Sequence, residues 1–363
     1  MSLWESGWCY FGILPIHLRG NMSCSERQYR AGQGSMTKLI LTAMVLGTCM
    51  MTAFGQSALH DQEAKAPPPG AELARHDFFY AGEAQLERMF IVRNGRVAWS
   101  FTYQGKGEIS DAVLLPNGHI LFAHQFAVTE IDLQGHVVWN HDAPSNTEIH
   151  TVQRYGDDSV VFVQNGNPAK AIVINKRNGA IEREFSLPVG HPDSIHGQFR
   201  RARMTSSNTL LAAHMDMGKV AEYDLTGKQG WSVDAPGVWD AEPLPNGNVL
   251  ISGNTNKYVL ELNRKGQTVW EFTAADAPEY GITNMQTATR LKNGNTLITQ
   301  WFNEWSGPVD RANPPVQAIE VTPGKKVVWV LRSWTPPADL GPSTTIQMLD
   351  GEMGLSIPSP ESH

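Results

Sequence analysis

The sequence predicts an all-β fold, a six-bladed β-propeller of four-stranded antiparallel blades whose ring is closed by pairing of its N- and C-terminal strands. Three observations predict it. A strand, Gly turn, strand, Trp pattern recurs along the chain, a second Gly turn precedes most copies, and the C-terminus supplies a strand that the first copy lacks.

The recurring pattern runs Ile91 to Trp99, Ile131 to Trp139, Tyr223 to Trp231 and Leu262 to Trp270. Degenerate copies surround Gly179, with Phe185 in the Trp place, and Gly324, with Trp329. The turn glycines Gly95, Gly135, Gly179, Gly227, Gly266 and Gly324 are 40, 44, 48, 39 and 58 residues apart. Periods of this length mark solenoids or propellers. The second turn is Leu115-Pro116-Asn117-Gly118, Leu244-Pro245-Asn246-Gly247 and Leu291-Lys292-Asn293-Gly294. Asn-Gly between β-rich runs predicts a hairpin in which both residues take positive φ. Two hairpins per repeat make the four strands of a propeller blade.

The first unit has a strand around His76–Tyr80 with no inner strand before it, and Thr344 to Gly351 matches Asp111 to Gly118 in pattern and length. A blade built from both termini leaves no open edge. The propeller then occupies 76–351, with 352–363 as a tail and 56–75, containing Ala66-Pro67-Pro68-Pro69-Gly70, as a flexible leader. Residues 1–55 read as a start-site extension and signal peptide: Met36 is the expected start, Lys38 precedes the apolar run Leu39 to Val45, and Ala53-Phe54-Gly55 offers a cleavage site before Gln56. The expected location is periplasmic or secreted, with no integral membrane segment after processing. Cys9, Cys24 and Cys49 all precede the cut, so the mature chain is expected to carry no thiol. The whole chain has a formal net charge of -7, which argues against a nucleic-acid partner.

The Asp-x-x-Gly-x-x-x-Trp element, as in Asp132 to Trp139, resembles the repeats of arylsulfotransferase-type propellers and is close to the quinoprotein (PQQ-like) repeat. The resemblance covers nearly all of 76–351 and implies the fold. The chain is too short for the eight-bladed quinoprotein dehydrogenases or the eight-bladed outer-membrane assembly propellers, so no cofactor, quinone or calcium, is carried over. Asp193-Ser194-Ile195-His196 resembles the Asp-x-x-His element of arylsulfotransferases, where His takes the sulfuryl group; its flanking Trp and Asn are absent here, and only His196 is transferred.

Antiparallel order puts both Gly turns of each blade on one face of the ring and the longer loops on the other, where function is expected. Aligned on their turns, the inner strands place Thr344, Asp111, Thr151, Arg201, Asp240 and Thr287 in one polar column, read as the channel wall, followed by a column of small residues for close packing. One position earlier stand His150, Arg200, Trp239 and Gln286. Candidate catalytic residues are therefore His196, His150 and Arg200. Candidate ligand-binding residues are Asp111, Asp240, Trp239, Arg201, Gln286 and His214, with Trp301 and Trp305 from an 11-residue insertion in the last blade. A solvated channel in which Asp111 and Asp240 pair with Arg200 or Arg201 explains the charged members equally well. His214 and Asp216 alternate as a metal pair does, but no third ligand is fixed by spacing and no metal is expected. The expected function is binding of a small polar ligand, such as a carbohydrate, at the loop-face mouth. The alternatives are a His-based transferase or lyase on the same scaffold, and a scaffold that docks a protein partner.

Overall fold

The computed structural model describes residues 71–254, 256–302 and 308–350. Six four-stranded antiparallel sheets follow one another along the chain, each a blade. Blade one holds Phe78–Gly82, Arg88–Arg93 and Arg96–Thr102, and its innermost strand is Thr345–Met348 from the far end of the chain. Blades two to six begin with inner strands Asp111–Leu114, Glu148–Tyr155, Phe199–Met204, Val238–Pro243 and Met285–Arg290. The clasp pairs Ala81 with Thr345 and Phe78 with Met348. Gly82 is required there, since a Cβ would lie 2.2 Å from the Pro342 carbonyl oxygen.

The core is divided among the gaps between blades. Phe78 and Tyr80 pack against Leu297, Ala318 and Leu331 of blade six, while Phe79 and Ala81 pack against Ala112, Ile120 and Phe122 of blade two. The period of two sends alternate residues of one strand to opposite neighbours, so Phe78–Gly82 is buried at every position. The same arrangement recurs at the other four gaps.

The repeat residues have local causes. Asp132 Oδ1 accepts from the backbone N–H of Gln134 and His136, and Asn263 Oδ1 does the same for Lys265 and Gln267, leaving Gly135 and Gly266 at positive φ. Three repeat tryptophans reach across the blade gaps, and a fourth bonds the helical turn before blade one. Trp99 Nε1 donates to Leu133 O (2.7 Å), Trp231 to Arg264 O (2.9 Å), Trp270 to Pro323 O (2.8 Å) and Trp329 to Glu72 O (2.7 Å).

One expectation is corrected. Of the predicted Asn-Gly turns, only the glycines Gly118, Gly247 and Gly294 have positive φ; Asn117, Asn246 and Asn293 do not. Leu115 to Gly118 instead closes with Gly118 N–H on Leu115 O. Gly247 closes on Leu244 O and Gly294 on Leu291 O in the same way, a type I turn followed by a left-handed glycine, in which Pro116 and Pro245 fit the first central position and Lys292 takes it without a proline. Asn94-Gly95, a two-residue loop between the paired Arg93 and Arg96, does take positive φ at both residues.

Candidate functional site

The inner strands of blades three to six are interrupted at one place each. Cross-strand register shifts between Ile149 and Thr151, Phe199 and Ala202, Val238 and Asp240, and Met285 and Ala288. These irregularities hold His150, Arg200, Trp239 and Gln286. A bulge leaves a residue unpaired and re-aims its side chain. It lets two adjacent polar residues avoid the apolar blade gaps, which is why His150 with Thr151 and Arg200 with Arg201 are all buried polar groups.

Arg200 is the hub. Its guanidinium donates to Glu108, to His150 Nδ1 (2.9 Å) and to His196 Nε2, and it lies 4.9 Å from the Trp239 ring. A guanidinium can only donate, so both imidazole nitrogens facing it are acceptors. The opposite nitrogens, His150 Nε2 and His196 Nδ1, then donate to the same oxygen, Glu148 Oε2, at 2.8 and 2.9 Å. Arg200 and Glu148 thus fix both tautomers from opposite sides. The rings meet edge to face, 5.1 Å apart. His150 is sealed, with a side-chain exposure of 0%, whereas His196 is 50% exposed. With its amide oxygen turned to Trp239, Gln286 accepts from Trp239 Nε1 (3.3 Å) and donates to Ser343 O (3.0 Å).

Burial pushes the Glu148 carboxyl up, but hydrogen bonds from both histidines outweigh it and hold the group well below the usual carboxylate range. Burial likewise raises Glu108, and the Arg200 charge with His150 and His196 overrides it downward. Glu83 behaves oppositely: burial and the neighbouring Glu108 charge raise its carboxyl well above the ordinary value. Glu108 Oε1, His150 Nδ1 and His196 Nε2 lie within 4.8 Å of one another, as a metal donor set would. The Arg200 guanidinium contacts all three, so the cation at this position is the protein's own.

His196 sits in a short 3-10 turn, Ile195–Gly197, that the preceding blade holds in place. Asn165 Nδ2 donates to Ile195 O (3.0 Å), Gly166 N–H to Gln198 Oε1 (2.7 Å), and Asp216 Oδ2 accepts from Gly190 and His191 N–H. Glu83, Glu108 and Glu148 were missed by sequence reasoning. Glu83 and Glu108 stand in connections between strands, where no periodicity marks them. Glu148, two residues before His150 on one strand, was the member with a readable signal.

The polar column does not line an open channel; it is buried at all six positions. Asp111 Oδ2 accepts from Val152 N–H (3.0 Å), Thr151 Oγ1 from Ala202 N–H (3.1 Å) and Asp240 Oδ2 from Ala288 N–H (3.3 Å), so three of its members tie one blade to the next. Arg201 crosses the ring from blade four to pair with Asp111 and donates to Thr344 O (2.6 Å) and Thr345 Oγ1 (3.0 Å). Burial lowers Arg201 to about 9 and raises Asp240 to about 7. Asp111, Arg201 and Asp240 therefore lie inside the ring rather than at the loop-face mouth. His214 is also withdrawn. It is buried against Phe199 with Nε2 2.9 Å from Tyr223 Oη, and burial takes it down to about 3; the alternating His214–Asp216 pair is thus split between the core and the His196 loop. Trp301 is partly buried in the insertion, whose Phe302 packs 4.9 Å from Trp334 of a two-stranded ribbon, Trp334–Thr335 with Ala338–Asp339. Trp305 lies outside the described residues.

No family model and no curated protein matches the chain in sequence. Solved structures do match in shape. A protein of unknown function from Bacteroides caccae has a TM-score of 0.65 at 21% identity, over 75% of this chain and 98% of that one. A streptogramin B lyase has a TM-score of 0.50 at 14% identity, over 71% of this chain and 84% of its own. At these identities the likeness is one of fold.

Proposed function

We propose that the protein binds a small polar ligand at the loop-face mouth, between His196, Arg200 and Trp239. The observation that carries this reading is a half-exposed His196 whose ring is held on both sides, Nδ1 by Glu148 and Nε2 by Arg200. A merely solvated wall has no need of an oriented imidazole. Arg200 covers the Trp239 ring that a sugar would stack on, so the ligand we favour carries a carboxylate or a carbonyl-type acceptor rather than presenting only a sugar face. We place the protein outside the cytoplasm, on the leader read from residues 36–55.

One observation favours a catalytic extension of this reading. A carboxylate-oriented imidazole, with a carboxyl of raised pKa, Glu83, on the far side of the shared partners Glu108 and Arg200, is the equipment of general acid–base chemistry. A lyase that begins by proton abstraction uses such a pair. The lyase neighbour shares only the scaffold and adds no residue-level support.

A metabolite thermal-shift screen, followed by calorimetric titration of the hits, tests both readings. His196→Ala should weaken binding of a hit at least about tenfold while the melting temperature holds, because the ring contributes little to the core. Hits turned over by wild type but only bound by His196→Ala would establish the catalytic reading. A variant that binds every hit, and turns it over, as wild type does excludes both.

A further inference from the structure

A large cavity lies at the opposite end of the ring from His196. It opens among the Gly turns and has a volume of about 1090 Å³. Arg203 and Asp111 line it on the side toward the ring interior, where Arg201 and the rest of the polar column close the axis. The two mouths are thus separate sites. Sequence reasoning had discounted this face because its turns are short.

Its lining has a consistent chemistry. Arg154, Arg203, Arg290 and Lys292 face it, against two carboxylates, Asp111 and Asp350. Asp111 is already bonded to Arg201 and Arg203, and Asp350 to His76. The carboxylates that pair with the wall cations, Asp157 with Arg154, Glu242 with Arg203 and Glu261 with Arg290, do not line the cavity. Lys292 has no ion pair among the described residues. On a protein whose net charge is -7, this is a local reversal of sign. Between the cations the wall carries the half-buried apolar side chains of Val113, Leu291 and Met348. We propose that the basin binds a small organic anion, a carboxylate-, sulfonate- or phosphate-bearing molecule with an apolar body. The apolar wall takes the body, and the cationic rim draws the charged end from solution and orients it.

The amphipathic dye 8-anilinonaphthalene-1-sulfonate is a suitable probe, with neutral N-phenyl-1-naphthylamine as the uncharged control, titrated by fluorescence at low and high salt. Wild type should bind the sulfonate dye at one site, more weakly as salt rises. The double variant Arg154→Glu, Lys292→Glu changes two exposed side chains and should raise its dissociation constant at least about tenfold while leaving the neutral dye unaffected. Thr289→Trp, at an exposed position of the wall, should block both dyes. His196→Ala should change neither. The proposal is overturned if the double variant and Thr289→Trp both bind the sulfonate dye as wild type does, or if His196→Ala abolishes its binding.

Discussion

Asp240 shows how one residue can report on the ring interior. Its carboxyl is buried, faces Arg201, Arg203 and Glu242, and receives only the Ala288 N–H. Burial, with the Glu242 charge, outweighs the two arginines and raises it to about 7. An acid with a raised folded pKa holds its proton more tightly when native. Its contribution is full below the unfolded value of about 4 and is lost as pH rises through about 7. Asp240→Asn keeps an acceptor for Ala288 N–H and removes the titration. The variant should gain stability relative to wild type by about 1.5 kcal/mol at pH 5 and by about 4 kcal/mol at pH 8.5, the gap widening as pH rises toward about 7. Paired thermal melts at the two pH values check this. An equal difference at both would mean that Asp240 is ionised throughout.

The elements divide into those the sequence announces and those it hides. Gly turns were legible because positive φ is a local demand, visible in a few residues around Gly135 or Gly227. The turn type at Asn117 was misread because the Asn-Gly rule assumes a two-residue loop, whereas Leu115 and His119 close a longer one around it. The bulges at His150 and Arg200 were illegible for a deeper reason. Register is set by the partner strand, so a strict alternation drawn along one strand sends every second residue to the wrong place. The Trp positions were legible as a repeat, but not their bond. Trp270→Phe keeps a ring beside Phe272 and removes the indole N–H bonded to Pro323 O across the gap between blades five and six. It should cost about 1–2 kcal/mol, read from denaturant melts. No loss would mean that the repeat tryptophan acts by packing alone.

At the scale of the whole molecule, closure is the property on which both faces depend. The C-terminal strand pairs with Phe78–Gly82, the preceding residue Thr344 donates its Oγ1 to Ile109 O of blade two, and Arg201 anchors on Thr344 O from across the ring. Asp350 bonds His76 and the Asp77 N–H at the edge of the turn-face basin. Removing residues 342–363 therefore does more than expose one edge. It strips the inner partner from blade one, leaves Arg201 with Asp111 as its remaining ion partner, and uncovers Phe79 and Tyr80, which the clasp shares with two blade gaps. An open six-bladed arc has two unpaired edges, and such edges recruit one another. The truncated protein should lose its single cooperative melt and self-associate, as seen by calorimetry and by light scattering at matched concentration. If it melts as sharply as the full chain and stays monomeric, the ring is held by its blade gaps without the clasp, and the long-range bonds of Arg201 and Asp350 contribute little to closure.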